Sequence, residues 1–193
     1  MTYAAFGGLP SVTLLGSVFG ISEVALSLWR RSKSEAGVDD RGSFRLIWGI
    51  VPVSLLLAYW LTRWAPQAAF GPNAVAYACG VLMFCAGLVL RWYSIFYLGK
   101  YFTVNVAVSD DHRVIDSGPY RIVRHPSYSG ALLEFLGFGL CLQNVAALAV
   151  IMIPVTCAFL YRIGVEEAVL LSALGENYDR YMRHTKRLIP GIY

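Results

Sequence analysis

The chain alternates long apolar runs with short polar segments. Five runs stand out: Leu9–Trp29, Phe44–Thr62, Asn73–Leu98, Pro126–Gln143 and Val145–Gly164. A helix needs roughly 20 apolar residues to cross a bilayer core of about 30 Å, and each run is of that order. The pattern predicts an all-α fold, a polytopic membrane protein with about five transmembrane helices. Asn144 leaves room only for a tight turn, so the last two runs should form an antiparallel helical hairpin. Pro52 marks an expected kink in the second run. The third run exceeds the bilayer core at about 1.5 Å per residue. Its end, with Arg91 and Trp92, is expected to reach the headgroup region or to tilt.

Three details inside the runs carry expectations. Glu23 interrupts the first, and an intramembrane carboxylate needs a partner or an interfacial position. Gly16 and Gly20 have GxxxG spacing, which permits close helix packing. Trp60 and Trp64 close the second run, where aromatic residues favour the membrane interface.

Composition supports the membrane assignment. Of 193 residues, 57% are hydrophobic and only 15% charged, with a mean hydropathy of +0.56. A soluble domain carries about 25% charged residues. The net charge of +4 fits basic loops facing an anionic leaflet, and no basic–aromatic pattern points to nucleic acid. Cys79, Cys85, Cys141 and Cys157 lie inside apolar runs without a CxxC pair, so neither a disulfide nor a metal is expected. His112, His125 and His184 are too far apart for a local metal motif. The first run lacks a positive flank, which argues against a cleaved signal peptide. With no internal repeat, residues 1–193 read as a single membrane domain.

Charge also orients the chain. The first connector, Arg30–Arg45, the third, Gly99–Arg124, and the tail from Val165 are rich in Lys and Arg, whereas the second has only Arg63 and the fourth none. Alternation across five spans places every basic segment on one side, which should be cytoplasmic. The N-terminus is then outside and the C-terminus inside.

The third connector is too long for a simple turn, and loops beyond about 12–15 residues tend to be functional. It ends in GPYRIVRHPSYSG, Gly118–Gly130. The residue before a proline is pushed out of the helical region, and Pro126 suits the first position of a helix. His125 is therefore expected to cap the fourth helix, with Arg121 and Arg124 just before it. Free N–H groups and positive side chains converging there suit an anion such as a carboxylate. A second ionisable cluster, Arg162, Glu166 and Glu167, should meet this loop on the cytoplasmic side. Arg162 and Glu166 are four apart and share a helix face.

GPYRIVRHPSYSG resembles the signature of the isoprenylcysteine carboxyl methyltransferase family. Arg124, His125, Pro126, Tyr128 and Gly130 match its Arg-His-Pro-x-Tyr-x-Gly, and Gly118, Pro119, Tyr120 and Arg121 match the preceding Gly-Pro-Tyr-Arg. Glu166 and Glu167 match its Glu-Glu pair with Arg162 upstream, and GENYDRYMRHTKRLIPGIY resembles its tail through Tyr178, Tyr181, Arg187 and Pro190. The likeness covers the half from Leu98 onward, about residues 98–193, and the short chain is similar to prokaryotic members, which implies a prokaryotic plasma membrane.

The resemblance implies a cytoplasmic cofactor pocket in that half, binding S-adenosyl-L-methionine and releasing S-adenosyl-L-homocysteine. It implies Arg162 and Glu166 as catalytic residues, Arg162 orienting an acceptor carboxylate. Tyr120, Arg121, Arg124, His125, Tyr128, Gly130, Glu167 and Tyr178 are the implied cofactor-binding residues. The implied acceptor is a lipophilic molecule such as isoprenylcysteine, reached from the membrane lipid, with no metal. Three other readings share some of these features. Sterol-type reductases using NADPH have a similar Arg-His-x-x-Tyr turn, the acceptor could be a lipid amine or thiol, and a non-catalytic scaffold would bind neither nucleotide.

Overall fold

A computed structural model describes residues 8–29, 42–102 and 113–193. Within them the helices are α1 (Val12–Trp29), α2 (Ser43–Trp64), α3 (Ala74–Leu98), α4 (Pro126–Cys141), α5 (Val145–Leu174) and α6 (Glu176–His184). Short 3-10 turns occupy Pro66–Ala68, Gly99–Tyr101 and Gly118–Arg121. No β-strand occurs among the described residues; the isolated bridges are Ala69 with Asn144 and Val123 with Lys186. The third connector's residues 103–112 and most of the first connector lie outside the described residues.

The chain is an all-α, integral membrane protein. Helices α1, α2, α3 with its short extension, and α5 are each long and apolar enough to cross a membrane. At 16 residues, α4 is about 24 Å long, shorter than a bilayer core. It forms the expected hairpin with α5, whose start is fixed by Asn144 accepting a hydrogen bond from the Ala147 amide at 2.9 Å. Asn73 does the same for α3 through Ala76.

Packing centres on α3 against α4, and α2 against α5. Gly80 faces Gly137 and Gly87 faces Gly130, so backbone meets backbone. A Cβ on Gly87 would lie 2.5 Å from the Gly130 carbonyl, and one on Gly130 would lie 2.7 Å from the Arg91 amide. The close glycine contact is therefore here and not at the GxxxG of α1. Gly16 meets only the Phe138 ring and Gly20 has nothing within 4 Å. Gly130 accordingly serves helix packing.

Two features extend the reading of the runs. Arg91 has a partner within the bundle. It bridges to Glu23 of α1 through two hydrogen bonds of 3.0 Å, with the Ser127 carbonyl at 3.4 Å. Glu134 lies within its electrostatic reach, 1% exposed and without a hydrogen bond to either oxygen among the described residues. The fifth helix does not stop at Gly164 but runs to Leu174, 30 residues or about 45 Å. Helical hydrogen bonding satisfies the backbone inside and outside lipid alike, so charged residues at 162–167 need not end the helix.

Candidate active site

The turn Gly118–Arg121 begins the site. Gly118 has φ +56°, and a Cβ there would run into the Tyr97 ring, so only glycine fits. Tyr97 in turn donates to Ser117 Oγ at 3.0 Å. His125 occupies the cap position of α4, as the His-Pro pair leads one to expect, but its side chain makes no capping bond. It reaches α5 instead, with Nε2 3.2 Å from Glu167 Oε1.

Glu167 is the node of this end of the bundle. Its Oε1 also accepts from Arg124 Nε at 2.8 Å, and its Oε2 from Arg187 Nε at 2.9 Å. At 4% exposure it is the anion that the basic loop holds. The tail is tied in by backbone: Arg124 N donates to the Lys186 carbonyl at 2.7 Å and His125 N to that of Arg187 at 3.0 Å. Arg124 also donates to the carbonyls of Met182 and Thr185. The bond to Glu167 holds Arg187 above its ordinary pKa, so it stays charged. Tyr181 donates to the Tyr120 carbonyl at 2.6 Å. Burial, followed by nearby carboxylate charge, raises the phenols of Tyr120 and Tyr178 above their ordinary values. Burial raises Tyr181 likewise.

Glu166 turns the other way, into a cavity of about 360 Å³. Tyr128 donates to its Oε2 at 3.1 Å and accepts from Arg162 Nε at 3.3 Å. Arg162, 3% exposed, also donates to Ser43 Oγ of α2 at 2.8 Å. Tyr120, Arg124, His125, Tyr128, Arg162 and Glu166 all line the cavity, while Phe19, Val51, Leu55, Phe135 and Phe159 give it an apolar wall. Helices α1 and α2 supply much of that wall.

The site residues expected from sequence thus divide. Six meet at the cavity, and four do not line it. Glu167 sits behind it, Gly130 is spent on α3, Tyr178 is buried against Tyr181, and Arg121 lines a separate groove. Ser43 and the Glu23–Arg91 pair, which line or brace the same cavity, went unmarked as site residues. For Glu23 and Arg91 the signal was that a charge inside an apolar run requires a partner from another helix, and Ser43 carried none.

Residues 80–172 match the isoprenylcysteine carboxyl methyltransferase family. The matched segment runs from within α3 through most of α5, and so holds every cavity residue named above except those of α1 and α2. The chain is 30% identical over 115 residues to a probable protein-S-isoprenylcysteine O-methyltransferase of Oryza sativa subsp. indica, covering 58% of this chain and 60% of that protein. It is 34% identical over 110 residues to the protein-S-isoprenylcysteine O-methyltransferase of Schizosaccharomyces pombe, covering 56% and 47%. The chain thus spans about half to three fifths of the curated relatives it matches. The fold is also that of a solved structure, the eukaryotic intramembrane Ras methyltransferase of the isoprenylcysteine carboxyl methyltransferase type. The TM-score is 0.66 at 22% identity, over 94% of this chain and 65% of that one.

Proposed function

We propose that the chain is an S-adenosyl-L-methionine-dependent membrane methyltransferase that esterifies the carboxylate of a lipophilic acceptor such as isoprenylcysteine. One observation carries this reading: the buried guanidinium of Arg162 stands at the polar end of a cavity whose other wall is apolar. A carboxylate on a hydrophobic tail matches both ends. The similarity to named methyltransferases points the same way.

The residues present also fit the methyl donor. Glu166 Oε1 has no hydrogen bond among the described residues and can accept from an ammonium or a ribose hydroxyl. Arg124, His125 and Tyr120 line the same end and supply donors for a carboxylate. S-adenosyl-L-methionine supplies a methyl group on a sulfonium, and transfer to a carboxylate oxygen forms the O–C bond, breaks the S–C bond and leaves neutral S-adenosyl-L-homocysteine.

The chain's own task is positioning. An acceptor carboxylate is already ionised at neutral pH, so no general base is needed. Arg162 orients it through a fork of N–H donors, and Tyr128 holds Arg162 and Glu166 in fixed relation from α4. The apolar wall strips water from the attacking oxygen. Glu167 acts as a positioning residue that fixes Arg124, His125 and the tail. Gly130 and Tyr178 support the same frame. The donor end draws on the half from about residue 98, and α1 and α2 form the acceptor wall of a single unit. The basic connectors support a cytoplasmic opening for the donor. A lipid amine suits the cavity less well, because its cation would face buried Arg162.

Titrating the protein in detergent with S-adenosyl-L-homocysteine and with NADPH tests this. Saturable binding of the first alone is expected. Binding of NADPH alone would replace the methyltransferase reading with a reductase.

A further inference from the structure

A second depression, of about 730 Å³, shares no residue with the methyl-transfer cavity. Arg113, Arg121, Arg180 and His184 line it, and among the described residues Asp116 is its one carboxylate. The three guanidiniums come from separate pieces of chain: the connector, the Gly118–Arg121 turn and α6. All three are exposed, and none has an ion pair or side-chain hydrogen bond among the described residues. The contrast lies on the same helix. Arg183 of α6 closes on Asp179 at 2.7 Å, whereas Arg180, one turn earlier, faces the groove with no acid bonded to it among the described residues. His184 is set in place by its Nδ1, 2.8 Å from the Arg180 carbonyl.

Like charges gathered in one groove repel, and a bound anion reverses the sign of that interaction. Planar guanidiniums approaching from several directions match the oxygens of a phosphate better than those of a monovalent halide. We propose that this groove binds a phosphate group. The inference does not depend on the methyltransferase reading. The phosphate can belong to an anionic lipid headgroup, as basic pockets at a membrane surface bind them, or to a soluble anion. Two groove residues also touch the loop of Gly118–Gly130. Tyr181 donates to the Tyr120 carbonyl and the Thr185 carbonyl accepts from Arg124, so an occupied groove braces α6 against the residues behind the cavity.

The test uses the full chain with two probes. In zwitterionic detergent, inorganic phosphate is titrated against sodium chloride of equal ionic strength, with the melting temperature as readout. In phosphatidylcholine nanodiscs with and without phosphatidylglycerol, native mass spectrometry counts the phosphatidylglycerol retained. Saturation in the first arm identifies a soluble phosphate, and saturation in the second alone identifies a headgroup. The Arg121→Gln/Arg180→Gln variant is expected to weaken the saturable signal about tenfold or more, since each charge-assisted bond is worth about that factor. Arg113→Gln should weaken it from a separate segment. Arg183→Gln/Lys186→Gln removes the same net charge outside the groove and should leave affinity within about twofold. Equal weakening by both double variants, or no saturation with either probe, overturns the proposal.

Discussion

Glu166 and Glu167 are adjacent in sequence yet serve different sides of α5. Glu166 accepts from Tyr128 at the cavity, and Glu167 is closed behind it by Arg124, His125 and Arg187. Neighbours on a helix point about 100° apart, so one Glu-Glu pair can both face a ligand and hold the scaffold. The two should therefore fail differently. Glu167→Ala strands two arginines around a buried vacancy and is expected to destabilise by about 3 kcal/mol or more. Glu166→Gln should change stability by less than about 1 kcal/mol while weakening S-adenosyl-L-homocysteine about tenfold. Melting curves and donor titrations on the two variants check this, and matching losses for both would contradict the division.

The α3–α4 contact is the mechanical base of the loop. Gly87→Leu drives a side chain into the Gly130 carbonyl and the Glu134 backbone, neither of which can yield. Loss of about 3 kcal/mol or complete misfolding is expected, at the upper end of overpacking costs. Gly20→Ala, with open space around it, should stay within about 0.5 kcal/mol. Denaturation in detergent separates the two, and a Gly87→Leu protein of normal stability would show the close contact to be absent.

Arg91 joins α1 to the bundle through Glu23, with side chains 12% and 24% exposed. Arg91→Ala should cost about 3 kcal/mol because it leaves Glu23 uncompensated. Adding Glu23→Ala should recover a substantial part of that loss. A double variant that is merely the sum of the two single losses would mean the pair is not coupled.

Alkaline pH should loosen the tail. Tyr120, Tyr178 and Tyr181 have pKa values raised by burial, so the folded state keeps them neutral where an unfolded chain ionises them. A raised pKa gives full stability below the unfolded value of about 10, lost progressively as pH climbs past it. Melting temperature is expected to be flat on this account up to about pH 10 and to fall beyond. Phenolate absorbance in the native protein should report fewer than its 12 tyrosines until unfolding. Ionisation of all of them before any unfolding would contradict the burial.

Much of this architecture was legible in the sequence because lipid leaves few alternatives. Apolar runs of span length become helices, and Asn144 between two of them forces the hairpin. The loop of Gly118–Gly130 was legible because proline and glycine restrict the backbone locally. What was not legible depended on contacts across long separations. Arg124 and His125 suggested a site for an outside anion, but Glu167, more than 40 residues on, already takes one bond from each. The GxxxG of α1 meets only a side chain of α4, whereas Gly80, Gly87, Gly130 and Gly137 became a backbone contact only once α3 and α4 were paired. The charges of Arg162–Glu167 gave no sign that the helix of the fifth span continues to Leu174, because a helix keeps its own hydrogen bonds wherever lipid ends.

Arg162 is the residue we propose to orient an acceptor carboxylate within a cavity that also binds the methyl donor. The direct measurement compares wild type with Arg162→Ala for S-adenosyl-L-homocysteine affinity and for radiolabelled methyl transfer to a prenylated cysteine in liposomes. Transfer is expected to fall about a hundredfold or more, the scale of a misplaced reactant, with donor affinity within about twofold. Parallel loss of both, or transfer that survives the substitution, would contradict the assignment.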